Sequence, residues 1–247
     1  MENWLHRTEL LLGKENIRML QSTKVCIAGL GGVGSHAVEV LARSGVGSFI
    51  FIDFDKVNET NINRQIIALR STIGKYKTEV MRDRVMDINP TAKIEIFPEF
   101  LSKENRMEII KSSDIVIDAI DSIGPKMGML KDLCELDIPF ISVMGAGNRI
   151  NAESIKITSI WKTQGCPLTK RLKKLLRRNG VQKDFQVVFS DELPKMQTEI
   201  SVHTADHNGI RPESIPKTLV GSIAYMPAIM GMMAGAWVIR KICYNSE

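Results

Sequence analysis

Gly29-Leu30-Gly31-Gly32-Val33-Gly34 is the segment that most narrows what this chain can fold into. The apolar run Val25-Cys26-Ile27-Ala28 precedes it and reads as a buried parallel strand. Ser35 to Arg43 follows it and reads as a helix, with Ala37, Val38, Val40 and Leu41 apolar. Glycines at a strand-to-helix turn have separate physical uses. Gly29 permits the tight turn, Gly31 lets backbone approach a phosphate, and Gly34 lets the helix pack close on the strand. The helix start offers free N–H groups and a partial positive charge to an anion. A glycine turn with no ligand is the plain alternative, and the next segment weighs against it. Ser48-Phe49-Ile50-Phe51-Ile52 reads as a second strand. It ends at Asp53, nineteen residues after Gly34, where a carboxylate can accept hydrogen bonds from ribose hydroxyls.

The residues beyond Asp53 narrow the nucleotide to ATP. A nicotinamide dehydrogenase has no need of Arg64 just past the ribose acid. An enzyme that attacks ATP at its α-phosphate must hold a triphosphate, neutralise charge on the transferring group and release pyrophosphate. Fixed cations and a metal ion do that work. Arg64 and Lys77 supply the cations, and Asp121 supplies an acid able to hold magnesium. Ile115 to Asp121 reads as a strand, so Asp121 is expected at the carboxyl edge of the sheet, where ligands bind in such folds. Taken singly, each residue has an ordinary reading. Arg64 and Lys77 would be solvated surface cations, and Asp121 would cap the following helix.

Together with the glycine loop, Ile52-Asp53-Phe54-Asp55, Asn61-Ile62-Asn63-Arg64-Gln65, Gly74-Lys75-Tyr76-Lys77 and Asp118-Ala119-Ile120-Asp121 resemble the ubiquitin-activating-enzyme-like adenylyltransferases. The resemblance implies that Gly29, Gly31, Gly32, Gly34, Asp53 and Asp55 belong to the ATP site, with Asp53 on the ribose. Asn61, Arg64 and Lys77 would hold the triphosphate, and Asp121 the magnesium. It also implies that Arg7, in Arg7-Thr8-Glu9-Leu10-Leu11-Leu12-Gly13, reaches the ATP of a second subunit, so that the enzyme is a homodimer. Read alone, Arg7 is an exposed residue near a chain end.

Branches of that family that serve sulfur-carrier proteins typically bear two CxxC pairs for a structural zinc, a strong signal where present. Cys26, Cys134, Cys166 and Cys243 stand singly here, so no structural zinc is expected. Cys26 and Cys134 lie on apolar segments and read as small buried hydrophobes. Cys166, in Gln164-Gly165-Cys166-Pro167, reads as a loop cysteine rather than a nucleophile. The chain more closely resembles the branch that dehydrates threonylcarbamoyladenosine in tRNA. That likeness rests on the Arg7–Gly13 stretch, Ala42-Arg43-Ser44-Gly45-Val46-Gly47, Asp118 to Ser122 with Pro125-Lys126, and Gly145-Ala146-Gly147-Asn148. It runs from about Arg7 to about Val188 and resumes from Gly221 to Gly231, while the segment from Pro194 to Ile215 departs from it. The implied reaction activates the threonyl carboxylate as an acyl-adenylate. The ureido group of the same nucleoside then closes a ring, AMP leaves, and the net change is loss of water. The second step is intramolecular, so the protein mainly positions groups.

Charge supports a polyanionic partner. Lys162, Lys170, Arg171, Lys173, Lys174, Arg177, Arg178 and Lys183 are eight cations in a stretch free of acids. Removing those eight from the chain's 33 lysines and arginines leaves 25 against 28 acids. The basic excess therefore lies in one insertion at about 162–183. Leu172, Leu175 and Leu176 fall at helical spacing within it, so the leucines should dock and the cations face outward. A solvated helix face is the ordinary reading. A concentrated strip on an otherwise neutral protein suits tRNA phosphates, with Lys170, Arg171, Lys173, Lys174, Arg177 and Arg178 as the candidate contacts.

The 247 residues, 44% hydrophobic, suffice for a single ATP-binding domain spanning 1–247, and no linker or repeat divides it. The expected class is α/β: a Rossmann-like doubly wound sheet, parallel in its first half. Ile155 to Ile160 and Gln186 to Phe189 should extend it antiparallel in the second half. Thr218 to Ile239 carries no charge, but Gly221, Ser222, Pro227, Gly231 and Gly235 favour a turn and then a C-terminal core helix at about 226–243 over a membrane span. His203, Asp206 and His207 read as a solvated loop rather than a metal site. Unpaired cysteines and no leader-like N-terminus suit a reducing cytoplasm. Two other functions fit part of the pattern: adenylation of a ubiquitin-like carrier's C-terminus, and a nucleotide- or tRNA-binding module without turnover. The sequence names no sulfur-trafficking or redox partner.

Overall fold

Alternate residues of the central strands point to opposite faces of the sheet, and both faces are apolar. On β1 (Lys24–Ala28), Val25 and Ile27 enter one core while Cys26 and Ala28 enter the other. On β2 (Ser48–Ile52), Phe49 and Phe51 join the first core and Ile50 and Ile52 the second. That two-period with no polar face is the signature of strands covered on both sides.

The computed structural model describes residues 4–195 and 220–244. Around β1 and β2 the remaining elements are α1 (His6–Leu12), α2 (Lys14–Ser22), α3 (Gly34–Arg43), α4 (Lys77–Ile88) and β3 (Lys93–Phe97). They are followed by α5 (Arg106–Ile110), β4 (Ile115–Asp118), α6 (Ile123–Leu136), β5 (Phe140–Val143) and β6 (Ile155–Ser159). The order ends with α7 (Pro167–Arg178), β7 (Gln186–Ser190) and α8 (Tyr225–Tyr244). Side chains from α2, α3, α4 and α8 fill the first core, and side chains from α5, α6 and α7 fill the second. His203, Asp206, His207 and Thr218, with most of the 194–215 segment, lie outside the described residues. Among the described residues no helix is long and apolar enough to cross a membrane.

Strand order is β3-β2-β1-β4-β5-β7-β6. The chain winds outward from β1 in one direction, returns, and continues from β4 in the other. The reversal between β1 and β4 opens a crevice beyond their carboxyl ends, which is where ligands bind in doubly wound sheets. The antiparallel extension is a single edge strand. β7 lies parallel to β5, and β6 runs antiparallel to β7, from Ile155 opposite Ser190 to Ser159 opposite Gln186.

Helix α8 fixes the glycine loop from behind. A Cβ at Gly231 would stand 2.2 Å from the Val33 carbonyl oxygen, so the two backbones meet with no room for a side chain. Gly231→Ala is expected to destabilise the fold by about 1–3 kcal/mol through overpacking. Nucleotide affinity should fall with it, because Val33 precedes the first turn of α3. Denaturant melts with a parallel ATP titration measure both, and a fully stable variant that binds ATP normally would refute this packing role.

Candidate active site

A cavity of about 400 Å³ lies at the reversal point. Its walls come from the turn after β1, the segment after β2, the start of α4, the turn after β4 and the segment after β5. Asp53, Asp55, Asn61, Arg64, Lys77 and Asp121, distant in sequence, all line it with Gly29, Gly31 and Gly32.

The glycine loop is held by its own carboxylate. Gly29 has φ +92°, and a Cβ there would stand 2.7 Å from the Ala119 carbonyl oxygen. Gly34 does not line the cavity. A Cβ at Gly34 would meet the Gly29 carbonyl oxygen at 1.8 Å, so this glycine permits the close turn itself. Leu30 N–H donates to Asp53 Oδ2 at 2.7 Å, and Asp55 N–H donates to Asp53 Oδ1 at 2.9 Å. Asp53 therefore ties the loop after β1 to the end of β2 at the cavity wall.

Lys77, only 4% exposed at the first position of α4, donates from Nζ to Asp55 Oδ2 at 2.8 Å and lies 3.9 Å from Asp53 Oδ2. Burial pushes the Asp53 carboxyl above its ordinary value. The charge of Lys77 and the N–H groups of Leu30 and Asp55 pull it down, while the Asp55 charge pushes it up. One buried cation thus serves two carboxylates.

Arg64 Nη1 donates to Thr60 O and to Asn63 Oδ1, both at 2.8 Å. Burial lowers its pKa, and the nearby Asp121 charge raises it. Asn61 Oδ1 accepts from Asn58 N–H at 3.0 Å within the turn preceding Arg64, which leaves its NH2 end as a donor for a ligand.

Asp121 stands differently from the expectation. Strand β4 ends at Asp118, three residues earlier. The reason is a buried polar hub. Asp118 Oδ1 accepts from Ile120 N–H at 3.1 Å, which turns the chain out of the sheet, and Ser142 Oγ donates to Asp118 Oδ2 at 2.6 Å. Lys126 Nζ pairs with Asp118 Oδ2 at 2.8 Å, and both side chains are 0% exposed. Lys126 also donates to Ile120 O and Val143 O at 3.0 and 2.9 Å. Asp121 is consequently exposed on a pinned turn, where it accepts from Ser122 Oγ at 3.0 Å.

Other sequence candidates lie elsewhere. Arg7 is exposed on α1 and does not line the cavity. On α7, Leu172 and Leu176 are buried while Lys170, Arg171, Lys174, Arg177 and Arg178 are exposed. Lys173 differs, donating from Nζ to Thr163 O at 2.7 Å, and Arg177 stacks 5.2 Å from the Trp161 ring centre. Sequence reading missed Gln65, buried and lining the cavity with Oε1 lacking a partner, although it adjoins Arg64 in a motif already singled out. It also missed the walls made by Phe54 and Phe100, edge to face at 5.5 Å, and by Val220 and Pro227 from the C-terminal part of the chain. No local periodicity signals those contacts.

The fold and this cavity define a protein of the ThiF family, and the chain belongs to that family, whose model matches residues 5–247. Among its relatives, the tRNA threonylcarbamoyladenosine dehydratase of Bacillus subtilis (strain 168) is 37% identical over 244 residues, covering 98% of this chain and 95% of that one. The Escherichia coli (strain K12) dehydratase is 37% identical, with 95% and 91% covered. Among solved structures, the E. coli tRNA N6-threonylcarbamoyladenosine dehydratase in complex with AMP superposes with a TM-score of 0.87 at 30% identity, covering 99% of this chain and 97% of that one. The same enzyme in complex with ATP gives 0.85 at 31%, with 99% and 97% covered.

Proposed function

We propose that this protein dehydrates threonylcarbamoyladenosine in tRNA, using ATP to form an acyl-adenylate of the threonyl carboxylate. The observation that carries the chemistry is the meeting of Arg64, Lys77 and Asp121 around one cavity beside the glycine loop. Near-full-length relatedness to dehydratases carries the substrate.

In this reading the loop of Gly29, Gly31 and Gly32 receives phosphate and Asp53 stands at the ribose. Asn61, Arg64 and Lys77 carry the triphosphate. Fixed cations aimed at the transferring group stabilise the charge that develops there. Magnesium, when bound, neutralises phosphate charge, and Asp121 is the side chain that would hold it. One exposed carboxylate suits that ion, which takes few protein ligands and completes its shell with phosphate oxygens and water. Ring closure by the ureido group is intramolecular, so no enzyme nucleophile is required. The test is nucleoside mass spectrometry after incubation with ATP, magnesium and threonylcarbamoyl-modified tRNA. The expected result is loss of one water from the modified nucleoside with AMP and pyrophosphate released. Pyrophosphate exchange that depends on a carrier protein and ignores tRNA would overturn it.

Two further parts belong to the reading. The exposed cations of α7 contact tRNA phosphates. Replacing Arg171, Lys174 and Arg178 by glutamine should weaken binding across tRNA sequences and flatten its salt dependence by about 0.7–0.9 per lost contact, read from Kd against salt concentration. An unchanged slope would remove α7 from the interface. Arg7 acts in the site of a second copy. Leu10 and Leu11 beside it, 74% and 80% exposed, offer the apolar contact for a homodimer. The whole chain works as one domain in the cytoplasm, where its four free cysteines stay reduced.

A further inference from the structure

Gly145-Ala146-Gly147, just after β5, lines the cavity and has no part in the chemistry above. Behind it lies Arg149, 4% exposed. Its Nη1 donates to Gly145 O at 2.7 Å and Gly147 O at 3.2 Å, and its Nε donates to Glu192 O at 3.0 Å. Nη2 is buried with no partner. Among the described residues no carboxylate pairs with this guanidinium. Glu192, whose backbone it touches, gives its carboxylate to the N–H groups of Ile150 and Asn151. A buried, unpaired cation is costly to fold around, and such groups concentrate where a charge is to be met.

Its effect on the backbone is directional. Arg149, which does not line the cavity, holds the Gly145 carbonyl on its own side. Among the described residues no peptide is cis, so the Ala146 N–H in the same peptide plane points away from Arg149. The outer peptide hydrogens of the run are committed: Met144 N–H donates to Val188 O and Asn148 N–H to Gly221 O. Of the three N–H groups between them, that of Ala146 is the one whose peptide carbonyl Arg149 holds. Among the described residues nothing accepts from Ala146 N–H.

The strand order says which ligand group lies there. Read across the carboxyl edge, β2 carries Asp53, β1 the glycine loop, β4 the Asp121 turn and β5 the Ala146 run. Adjacent strands are about 4.8 Å apart, so Ala146 stands roughly 10 Å along the edge from the phosphate loop, on the side away from the ribose acid. That is the place for the group being adenylated.

We propose that Ala146 N–H binds the substrate carboxylate and then the oxyanion formed from it, and that Arg149 is the residue that positions this donor. The inference rests on the adenylation reading above. In the first step a carboxylate oxygen attacks the α-phosphorus, the new C–O–P link forms, and the bond to pyrophosphate breaks. In the second, the ureido group attacks the acyl carbon, the carbonyl pair moves onto oxygen beside Ala146 N–H and returns as AMP leaves, and the ureido proton passes to solvent. A preorganised donor at a developing oxyanion acts mainly on the transition state.

The test compares the full-length wild type with three forms: the Ala146 peptide N–H replaced by an ester oxygen, Arg149→Met, and Arg149→Lys. The ester removes the hydrogen, weakens the Gly145 carbonyl as an acceptor for Arg149 and leaves every side chain in place, which covers the case in which Arg149→Met does not fold. Measured quantities are the ATP Kd and the kcat for AMP release with threonylcarbamoyl-modified tRNA. The ester and Arg149→Met should lower kcat about a hundredfold, the scale of a lost oxyanion donor, with ATP Kd unchanged, and Arg149→Lys should recover part of it. A folded ester form with wild-type kcat overturns the proposal. So does a loss of ATP affinity that matches the loss of kcat, which would give the N–H to phosphate instead. If the wild type releases no AMP with modified tRNA but exchanges pyrophosphate with a carrier C-terminus, only the tRNA reading fails. The ester form scored in that exchange still decides the role of Ala146.

Discussion

Lys77→Met should lower kcat/KM for ATP-dependent dehydration by at least about a hundredfold, the usual scale for removing one preorganised charge from a transferring group. Lys77 is suited to that effect because it is almost completely buried and held between Asp55 and Asp53. Its charge is in place before substrate arrives, so nothing has to reorganise. The same substitution has a second, independent signature. Burial raises the Asp53 carboxyl, and Lys77 is the cation that pulls it back. Without Lys77, burial and the neighbouring Asp55 push Asp53 further up, and the carboxylate that accepts Leu30 N–H protonates at a higher pH. The acid limb of ATP binding should therefore move to higher pH in Lys77→Met. Turnover assays and ATP titrations across pH measure both effects. Wild-type kcat/KM, or an acid limb that stays in place, would remove Lys77 from the site. Asp121→Ala tests the neighbouring assignment: activity that survives it with normal magnesium dependence would take the metal away from Asp121.

The second large effect is on stability. Lys126→Met should cost about 3–5 kcal/mol, because it leaves Asp118 charged, fully buried and without its partner. Ile120 O and Val143 O lose their donor at once, and Asp118 Oδ2 keeps only Ser142 Oγ. The Ile120 contact holds the turn that carries Asp121, so catalysis should suffer beyond the loss of folded protein. Adding Asp118→Leu to Lys126→Met should recover part of the stability, since an apolar pair of similar volume replaces an orphaned charge. Denaturant melts of the two single variants and the double give the coupling directly. A Lys126→Met loss of under about 1 kcal/mol would mean that Asp118 is reached by water, contrary to its burial.

Legibility followed the range of the interaction. The strand–glycine–helix unit, the two-faced strands and α7 were readable because each is set by local alternation or periodicity. Val25 and Ile27 oppose Cys26 and Ala28 whatever lies around them. Arg64, Lys77 and Asp121 were readable as types of residue at a recognisable spacing. The end of β4 was not, because it depends on Asp118 meeting Lys126 and Ser142 across the fold. Lys173 could not be told from its neighbours, since its difference is a carbonyl ten residues away. Gln65 and Arg149 were passed over for the same reason: a lone polar residue says nothing until its burial is known.

By itself, then, the sequence determined a doubly wound α/β sheet with a glycine turn between its first strand and helix, and it pointed to a set of charged residues that line one cavity. Backbone sterics and hydrophobic alternation act within a few residues, so they are written along the chain. Only the tertiary structure decided that Asp53 clamps the glycine loop and that Lys77 serves two acids. It also decided that β7 runs with the sheet and β6 against it, and that a buried guanidinium stands behind the wall beyond β5. Those outcomes depend on which groups share a low-dielectric interior, and that is a property of the packed molecule rather than of any stretch of it.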